Sequence, residues 1–344
     1  MSDVFSPRER LIRVLNKEKV ERPPVICPGG MMNAAIVDVM KATGHELPAA
    51  HHDDKLMSEL AYDVNELTGF ENFGIPFCMT VEAEVLGSEI NYGTLECEPK
   101  IQKEVFPNAA SVVFKAPREF DRNNRVNAIL NTIHTLSAKY PDTPTIGSLT
   151  GPISTAASIV DPMTFLKQLR KDKENSHKLM DYVTDCLIHF AGRMVESGAH
   201  VISIADPTAT GEILGPKAFE EYAVRYLNQL VDAIHGMGVP AIIHICGKME
   251  AVKPLVAQFH SNALSVDAFV SLRDIMNQFP QVTSMGNLST VLLEFGEPEK
   301  VSNNAEVLLR NQINILAPAC GLSTSTPIQN IQAFTQTVKA SKPL

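Results

Sequence analysis

Two apolar stretches of the sequence each end in metal-binding residues and a glycine turn. Residues 241–246 read Ala-Ile-Ile-His-Ile-Cys and residues 316–320 read Leu-Ala-Pro-Ala-Cys, and a glycine follows each stretch. Alternate residues of a β-strand point to the same face, so His244 and Cys246 are placed to bind one ion together. Cys320, at the end of another predicted strand, would close the site.

One imidazole and two thiolates are a ligand set that suits zinc, and three protein ligands leave a fourth position open, as in catalytic zinc sites. Such a site predicts thiol activation, because a metal-bound sulfur is deprotonated and the thiolate is the nucleophile. The alternative for His244 and Cys246 alone is a core histidine beside a core cysteine, since free cysteine packs as a small hydrophobic residue. The third candidate, Cys320, favours metal binding.

Further polar side chains follow other predicted strands. Asp206, Asn287 and Glu84 lie at or just beyond the ends of apolar runs, where a barrel of parallel strands gathers its reactive residues. We expect these three side chains to contact the cofactor or substrate. Asp206 could instead cap the loop that follows it, and either Glu82 or Glu84 could complete the zinc coordination before substrate binds.

The order of predicted elements indicates the fold class. Strands and helices alternate along residues 145–338, which predicts a parallel sheet, and no Gly-x-Gly-x-x-Gly follows the first strand. A count of about eight strands favours a closed (β/α)8 TIM barrel over an open dinucleotide-binding sheet. We expect an α/β protein of one domain, residues 1–344, with an N-terminal helical segment and a small antiparallel β excursion near residues 87–115.

Some of these elements rest on weaker patterns. Within the antiparallel excursion, residues 88–93, 101–106 and 111–114 are predicted as short strands separated by Gly and Pro-Asn turns. Residues 33–43 and 249–258 are predicted as helices from the spacing of their apolar residues.

The composition is that of an ordinary globular protein, with 44% hydrophobic and 20% charged residues. The formal net charge of −9 argues against nucleic acid as a partner, because phosphate binding requires a basic face. No run approaches the roughly 18 apolar residues of a membrane span, and the N-terminus lacks the pattern of a signal peptide. We therefore expect a cytoplasmic protein whose six cysteines are thiols or ligands.

Several motifs, spread over essentially the whole chain, resemble those of one enzyme family. They are Cys78-Met-Thr-Val, Ala83-Glu-Val-Leu-Gly, Glu89-Ile-Asn-Tyr-Gly, Ala205-Asp-Pro, His244-Ile-Cys-Gly, and Ala317-Pro-Ala-Cys-Gly followed by Thr326-Pro. The chain resembles the MtaA/CmuA-type methylcobamide:coenzyme M methyltransferases of the uroporphyrinogen decarboxylase superfamily. The resemblance implies a (β/α)8 barrel in which His244, Cys246 and Cys320 bind zinc.

The resemblance also implies a reaction. A zinc-activated thiol such as coenzyme M takes a methyl group from Co(III) of a methylcobamide and leaves Co(I). The sequence contains no Asp-x-His-x-x-Gly, the stretch that ligates cobalt in corrinoid proteins. We therefore expect a separate corrinoid protein to bring the methylcobamide to the barrel mouth, where the small-molecule methyl acceptor binds.

Three alternatives stay open. The acceptor could be tetrahydrofolate, which is methylated on nitrogen and would give zinc a different role. Uroporphyrinogen decarboxylase resembles this chain in fold, but its Arg-Gln-Ala-Gly-Arg stretch after the first strand is here Cys27-Pro-Gly-Gly-Met-Met-Asn, and an acidic chain lacks the basic cleft that a polycarboxylate needs. The third alternative is a non-catalytic barrel with a structural zinc that acts as a scaffold for the corrinoid carrier.

Overall fold

In the computed structural model, which describes residues 3–341, the longer apolar runs form parallel strands. The strands are β1 (Phe73–Ile75), β2 (Glu89–Asn91), β3 (Lys100–Lys103), β4 (Thr145–Thr150), β5 (Val201–Ala205), β6 (Ala241–Ile245), β7 (Ala263–Val266) and β8 (Thr283–Met285). Six of them form one parallel sheet in the order β1-β4-β5-β6-β7-β8. All residues of β4 to β7 are buried, as expected of strands covered on both faces.

Two short segments close this sheet into a barrel. Ile315 forms a parallel bridge with Met285 of β8, and Leu316 forms another with Val25. The N–H of Glu71, just before β1, donates to the carbonyl of Val25 at 2.9 Å. The segments around Val25 and Leu316 thus occupy the first and eighth strand positions, and the predicted (β/α)8 barrel is confirmed.

Helices surround the barrel, and most bury one apolar stripe against it. They are α1 (Pro7–Leu15), α2 (Val37–Thr43), α3 (Asp54–Thr68), α4 (Val81–Leu86), α5 (Asn124–Lys139), α6 (Pro152–Ile159), α7 (Pro162–Lys171), α8 (Lys173–Glu196), α9 (Gly211–Ala218), α10 (Arg225–Gly236), α11 (Leu272–Gln278), α12 (Thr290–Phe295), α13 (Pro298–Arg310) and α14 (Ile328–Lys339). A π-helical turn, Phe219–Val224, joins α9 to α10. Among residues 3–341, no helix is long and apolar enough to cross a membrane.

The antiparallel excursion is present but smaller than predicted. β2 and β3 pair antiparallel, whereas residues 111–114, predicted as a third strand, form none. A 3-10 turn, Ala109–Ser111, takes up the start of this stretch, and Asn108 Oδ1 accepts the N–H of Ser111 at 3.0 Å. A side chain that bonds the backbone locally offers an alternative to a strand ladder.

One predicted helix is shortened and another is not formed. The helix predicted over residues 33–43 begins only at Val37, because Asn33 Oδ1 accepts a backbone N–H two residues on at 3.1 Å and holds the chain in a non-helical turn. The helix predicted over 249–258 is replaced by turns and a 3-10 segment, Lys253–Gln258. Pro254, the second residue of this segment, would clash in an α-helix with the carbonyl four residues earlier.

A buried network of charges fixes the amino-terminal end of the barrel. Glu71, 4% exposed, accepts hydrogen bonds from Arg10 Nη1 at 2.8 Å and from Arg22 Nη2 at 2.6 Å. The same carboxylate accepts the N–H of Val25 at 3.0 Å. The network therefore ties α1 to the first and second strand positions, at the opposite end of the barrel from the side chains described next.

Candidate metal centre

The carboxyl ends of β6 and of the eighth strand position bring three ligand-type side chains together. His244 lies within β6, Cys246 directly follows it, and Cys320 lies shortly after the eighth strand position. Their donor atoms all lie within 4.8 Å of one another. His244 Nε2 is 3.3 Å from Cys246 Sγ, and the sulfurs of Cys246 and Cys320 are 3.6 Å apart. We call these three residues the candidate metal centre.

The orientation of the His244 ring is set by the neighbouring strand. His244 and Ser265 are register partners on β6 and β7, and both are fully buried. His244 Nδ1 lies 2.9 Å from Ser265 Oγ. When Nδ1–H donates to this hydroxyl, Nε2 keeps its lone pair and faces the sulfurs. Metal-binding histidines commonly donate their other ring N–H in this way.

The two thiols share their protons unequally. The hydrogen bond from Cys246 lowers the pKa of Cys320, while the same contact and burial raise the pKa of Cys246. The charges of Asp267 and Asp206 add to the rise for Cys246. The pair therefore holds negative charge that favours a cation. Two sulfurs and one imidazole nitrogen are a donor set that fits zinc.

Asp206 follows β5, as predicted, but its carboxylate is engaged with the protein. Oδ1 accepts from the N–H and the hydroxyl of Ser154 at 2.8 and 2.7 Å, and Oδ2 accepts the N–H of Ile153 at 2.9 Å. Burial raises the pKa of Asp206 to about 6. A Cβ at Gly151 would lie 2.5 Å from Asp206 Cβ, so glycine is required there for this approach. Asp206 holds the first turn of α6 at the barrel mouth.

Asn287 follows β8, also as predicted, and supports a neighbouring loop. Its Nδ2 donates to the carbonyls of Asp267 and Val270 at 2.9 and 2.8 Å. Asp267 Oδ2 in turn accepts the N–H of Gly247 at 3.4 Å. The side chain of Asn287 thereby fixes the loop that lies against the residue after Cys246.

Glu84 does not lie at a strand end, and that predicted location is wrong. β1 ends at Ile75, and the following residues form α4, in which Glu84 pairs with the buried Arg125. Glu82 is 3% exposed, and its carboxylate accepts the N–H of Thr150 at 2.7 Å and its hydroxyl at 3.0 Å. Within residues 3–341, neither glutamate joins the group of donor atoms at the candidate metal centre.

A polar cluster of Arg125, Cys78 and Tyr92 lies beside the second strand position and was not predicted from the sequence. Arg125 is 2% exposed, and its Nη2 donates to Cys78 Sγ at 2.9 Å. Its Cζ lies over the ring of Tyr92, 5.2 Å from the ring centroid. Burial and the charge of Arg125 lower the pKa of His51 to about 3. In the sequence, Arg125 falls in an ordinary amphipathic pattern, so nothing marks it as buried. Ser265 was also missed, although a polar residue within the run Ala263–Val266 is a signal that could have found it.

The loop after the first strand position also borders the candidate metal centre. Met31 Sδ lies 3.9 Å from Cys246 Sγ. A Cβ at Gly321 would lie 2.8 Å from the carbonyl oxygen of Met31. Glycine after Cys320 therefore allows the backbone of this loop to come close to the sulfurs, where a bulkier residue would push it away.

Comparison with known proteins places the chain in a family. The family model described as uroporphyrinogen decarboxylase (URO-D) matches residues 6–341. The chain is 34% identical to the methylcobamide:CoM methyltransferase MtbA of Methanosarcina acetivorans, over 98% of this chain and 99% of that protein. It is 31% identical to the methylcobamide:CoM methyltransferase MtaA of Methanosarcina barkeri, over 96% of each.

A solved structure agrees with these sequence relatives. A methyltransferase from Methanosarcina mazei superposes with a TM-score of 0.90 at 29% identity, covering 97% of this chain and 98% of that one. Fold and sequence identity thus both lead to the same group of enzymes, as the sequence motifs predicted. The chain belongs to the uroporphyrinogen decarboxylase (URO-D) family, and it is one of the methyltransferases of that family.

Proposed function

We propose that this methyltransferase moves a methyl group from a methylcobamide, carried by a separate corrinoid protein, to a thiol at a zinc ion held by His244, Cys246 and Cys320. Coenzyme M is the proposed acceptor. The observation that carries the proposal is the grouping of one imidazole and two thiols at the carboxyl ends of the strands. The names of the relatives, methylcobamide:CoM methyltransferases, support the choice of donor and acceptor.

The proposed zinc ion and its protein ligands would have different roles at the site. Zinc, when bound there, would supply a Lewis acid that keeps the acceptor sulfur as a thiolate at neutral pH. Cys246 and Cys320 contribute negative charge that keeps this sulfur electron-rich, whereas more imidazole ligands would make it a poorer donor. Ser265 holds His244 so that Nε2 faces the two sulfurs.

Methyl transfer is a displacement at the methyl carbon. A lone pair of the acceptor sulfur forms the new S–C bond, and the Co–C bond breaks with its electron pair on cobalt, so Co(III) becomes Co(I). The acceptor thiol would lose its proton to solvent on binding to zinc held by His244, Cys246 and Cys320. Cys246 and Cys320 are partly exposed while His244 is buried, so the acceptor and the methyl group approach from the sulfur side.

The experiment is the visible spectrum of methylcobalamin mixed with zinc-loaded protein, with coenzyme M or tetrahydrofolate added in parallel. We expect demethylation with coenzyme M, loss of this activity in Cys320→Ala, and normal activity in Cys97→Ala, whose exposed thiol is not among the grouped donor atoms. Demethylation with the folate alone would overturn the proposed acceptor. No demethylation with either acceptor, from free methylcobalamin or from a methyl-charged corrinoid protein, would contradict the proposed function.

A further inference from the structure

Four large apolar side chains are exposed on one side of the barrel mouth. They are Ile213, Phe269, Val291 and Phe295, which are 44, 78, 65 and 76% exposed. Ile213 lies in the first turn of α9 after β5, Phe269 lies in the loop after β7, and the other two lie on α12 after β8. All four therefore belong to segments that leave the carboxyl ends of the strands, the end that carries the candidate metal centre. We call these four residues the apolar rim.

Hydrogen bonds join the segments of the apolar rim into one surface. The N–H of Lys248 donates to Glu212 Oε2 at 3.3 Å and links the loop after β6 to α9. The N–H of Gly247 donates to Asp267 Oδ2 at 3.4 Å and links that loop to the loop after β7. Asn287 Nδ2 donates to the carbonyl of Asp267 at 2.9 Å and continues the connection to the end of β8. Two of these hydrogen bonds are made by Gly247 and Lys248, which directly follow Cys246, so the linked loops begin at the candidate metal centre.

A surface of this kind is unusual on a protein that has no partner. Single exposed apolar residues are normal, but a group of them beside a site marks an interaction surface. A phenylalanine side chain buries about 150–250 Å², so Phe269 and Phe295 could supply a large part of the roughly 800 Å² per partner of a standard interface. The exposed Glu212 and Lys248 give the apolar residues a polar border, as protein interfaces have.

The chemistry of the donor limits what can cover this surface. The methyl group must reach the acceptor sulfur at the candidate metal centre. A corrin is a flat macrocycle, so it must lie across the barrel mouth to bring its cobalt there. The chain has no Asp-x-His-x-x-Gly of its own to ligate cobalt. Whatever carries the corrin over the centre therefore contacts the loops around it.

We propose that the apolar rim is the docking surface for the corrinoid protein. The carrier seats on the loops after β5 to β8 and presents the methyl face of its cobamide to the candidate metal centre. The stretch after β3 that holds Val113 packs against α8 through Phe114 and Tyr182, whose ring centroids are 4.8 Å apart, and it stays outside this contact. The inference rests on the proposed function, since it takes the donor to be a protein-bound methylcobamide.

The test compares two donors in one set of variants. The probes are a corrinoid protein reconstituted with methylcobalamin, and free methylcobalamin. We expect the double variant Phe269→Ser/Phe295→Ser to raise KM for the methyl-charged carrier about tenfold or more, with kcat/KM for free methylcobalamin within about twofold of wild type. The matched control, Val113→Ser, replaces a 63% exposed apolar residue of the excursion and should leave both donors unchanged.

Each other outcome has a definite meaning. If the double variant uses the carrier as well as wild type does, or if it loses both donors equally, the docking proposal is overturned. If wild type demethylates free methylcobalamin but shows no saturation with the carrier, the docking proposal fails and the proposed function stands. If wild type uses neither donor, the proposed function itself fails. Sedimentation velocity tests a second copy as occupant, because a wild-type dimer that the double variant dissociates would overturn the assignment to a corrinoid protein.

Discussion

The sulfurs of Cys246 and Cys320 lie 3.6 Å apart although 74 residues separate them along the chain. β6 and the eighth strand position are held in the barrel by separate sets of backbone hydrogen bonds, so the two thiols meet because the barrel closes. The pair therefore depends on the fold as a whole. Loss of either sulfur should remove a ligand without disturbing the strands.

We predict that Cys246→Ser and Cys320→Ser lose zinc to a chelator that leaves the wild-type protein loaded, because two of the three proposed ligands would not hold the ion alone. Zinc per chain after desalting is the measurement, with thermal unfolding as the check on folding. Cys97→Ser is the control, since Cys97 is exposed, and it should keep its zinc. Retention of zinc by Cys320→Ser at the wild-type level would rule out Cys320 as a ligand.

Ser265→Ala should weaken zinc binding by about 10- to 100-fold, because the hydroxyl holds His244 Nδ1 at 2.9 Å and partners of this kind fix the ligating nitrogen. Competition with a chelator of known affinity measures the change. Ser284→Ala is the matched control, because this serine is also fully buried and bonds Asn314 Oδ1 at 2.9 Å on the next strand. Equal zinc affinity in the two variants would mean that Ser265 does not position His244.

Glu82 should make stability depend on pH. Burial raises the pKa of Glu82 from 4.5 to about 7, so the folded state keeps a proton that the unfolded state loses between these values. This stabilises the folded protein below pH 7 and is lost as the pH rises through 7. Relative to wild type, Glu82→Gln should therefore gain about 2 kcal/mol in free energy of unfolding between pH 5 and pH 7.

The measurement for Glu82 is urea unfolding of wild type and variant at both pH values. Glu299→Gln, at an exposed position on α13, is the control and should show the same difference from wild type at pH 5 and pH 7. A constant difference between Glu82→Gln and wild type across this range would show that the carboxyl group is ionised throughout.

Glu71→Gln should lower the free energy of unfolding by about 3–5 kcal/mol, because it leaves two buried guanidinium groups, Arg10 and Arg22, without their shared carboxylate. Urea unfolding measures the change. Glu9→Gln breaks an exposed pair with Arg13 at 3.0 Å and should cost no more than about 1 kcal/mol. Similar losses in both variants would mean that the buried network contributes little to closing the barrel.

The fold and the grouping of three ligand-type side chains were predictable because both depend on local patterns. The alternation of strands and helices predicts the barrel, and the types and spacing of His244, Cys246 and Cys320 predict that these side chains meet at its mouth. The positions of Asp206 and Asn287 at strand ends also follow from the apolar runs that precede them.

The remaining features depend on tertiary contacts that a single sequence does not contain. The position of Ser265 beside His244 follows from the register of β6 on β7. Arg125 is buried because α5 brings it against Cys78 and Glu84, and Glu84 lies on α4 rather than at a strand end. The first and eighth strand positions pair through isolated bridges. In the sequence, an apolar run looks the same whether it forms such a bridge or a full strand.

The most direct measurement is X-ray absorption at the zinc edge on the zinc-loaded protein, before and after coenzyme M is added. With His244, Cys246 and Cys320 as ligands and the acceptor thiol bound at the metal, the sulfur ligands should rise from two to three while the single imidazole stays. An unchanged ligand set, under conditions in which methylcobalamin is demethylated by coenzyme M, would contradict thiol activation at this metal centre.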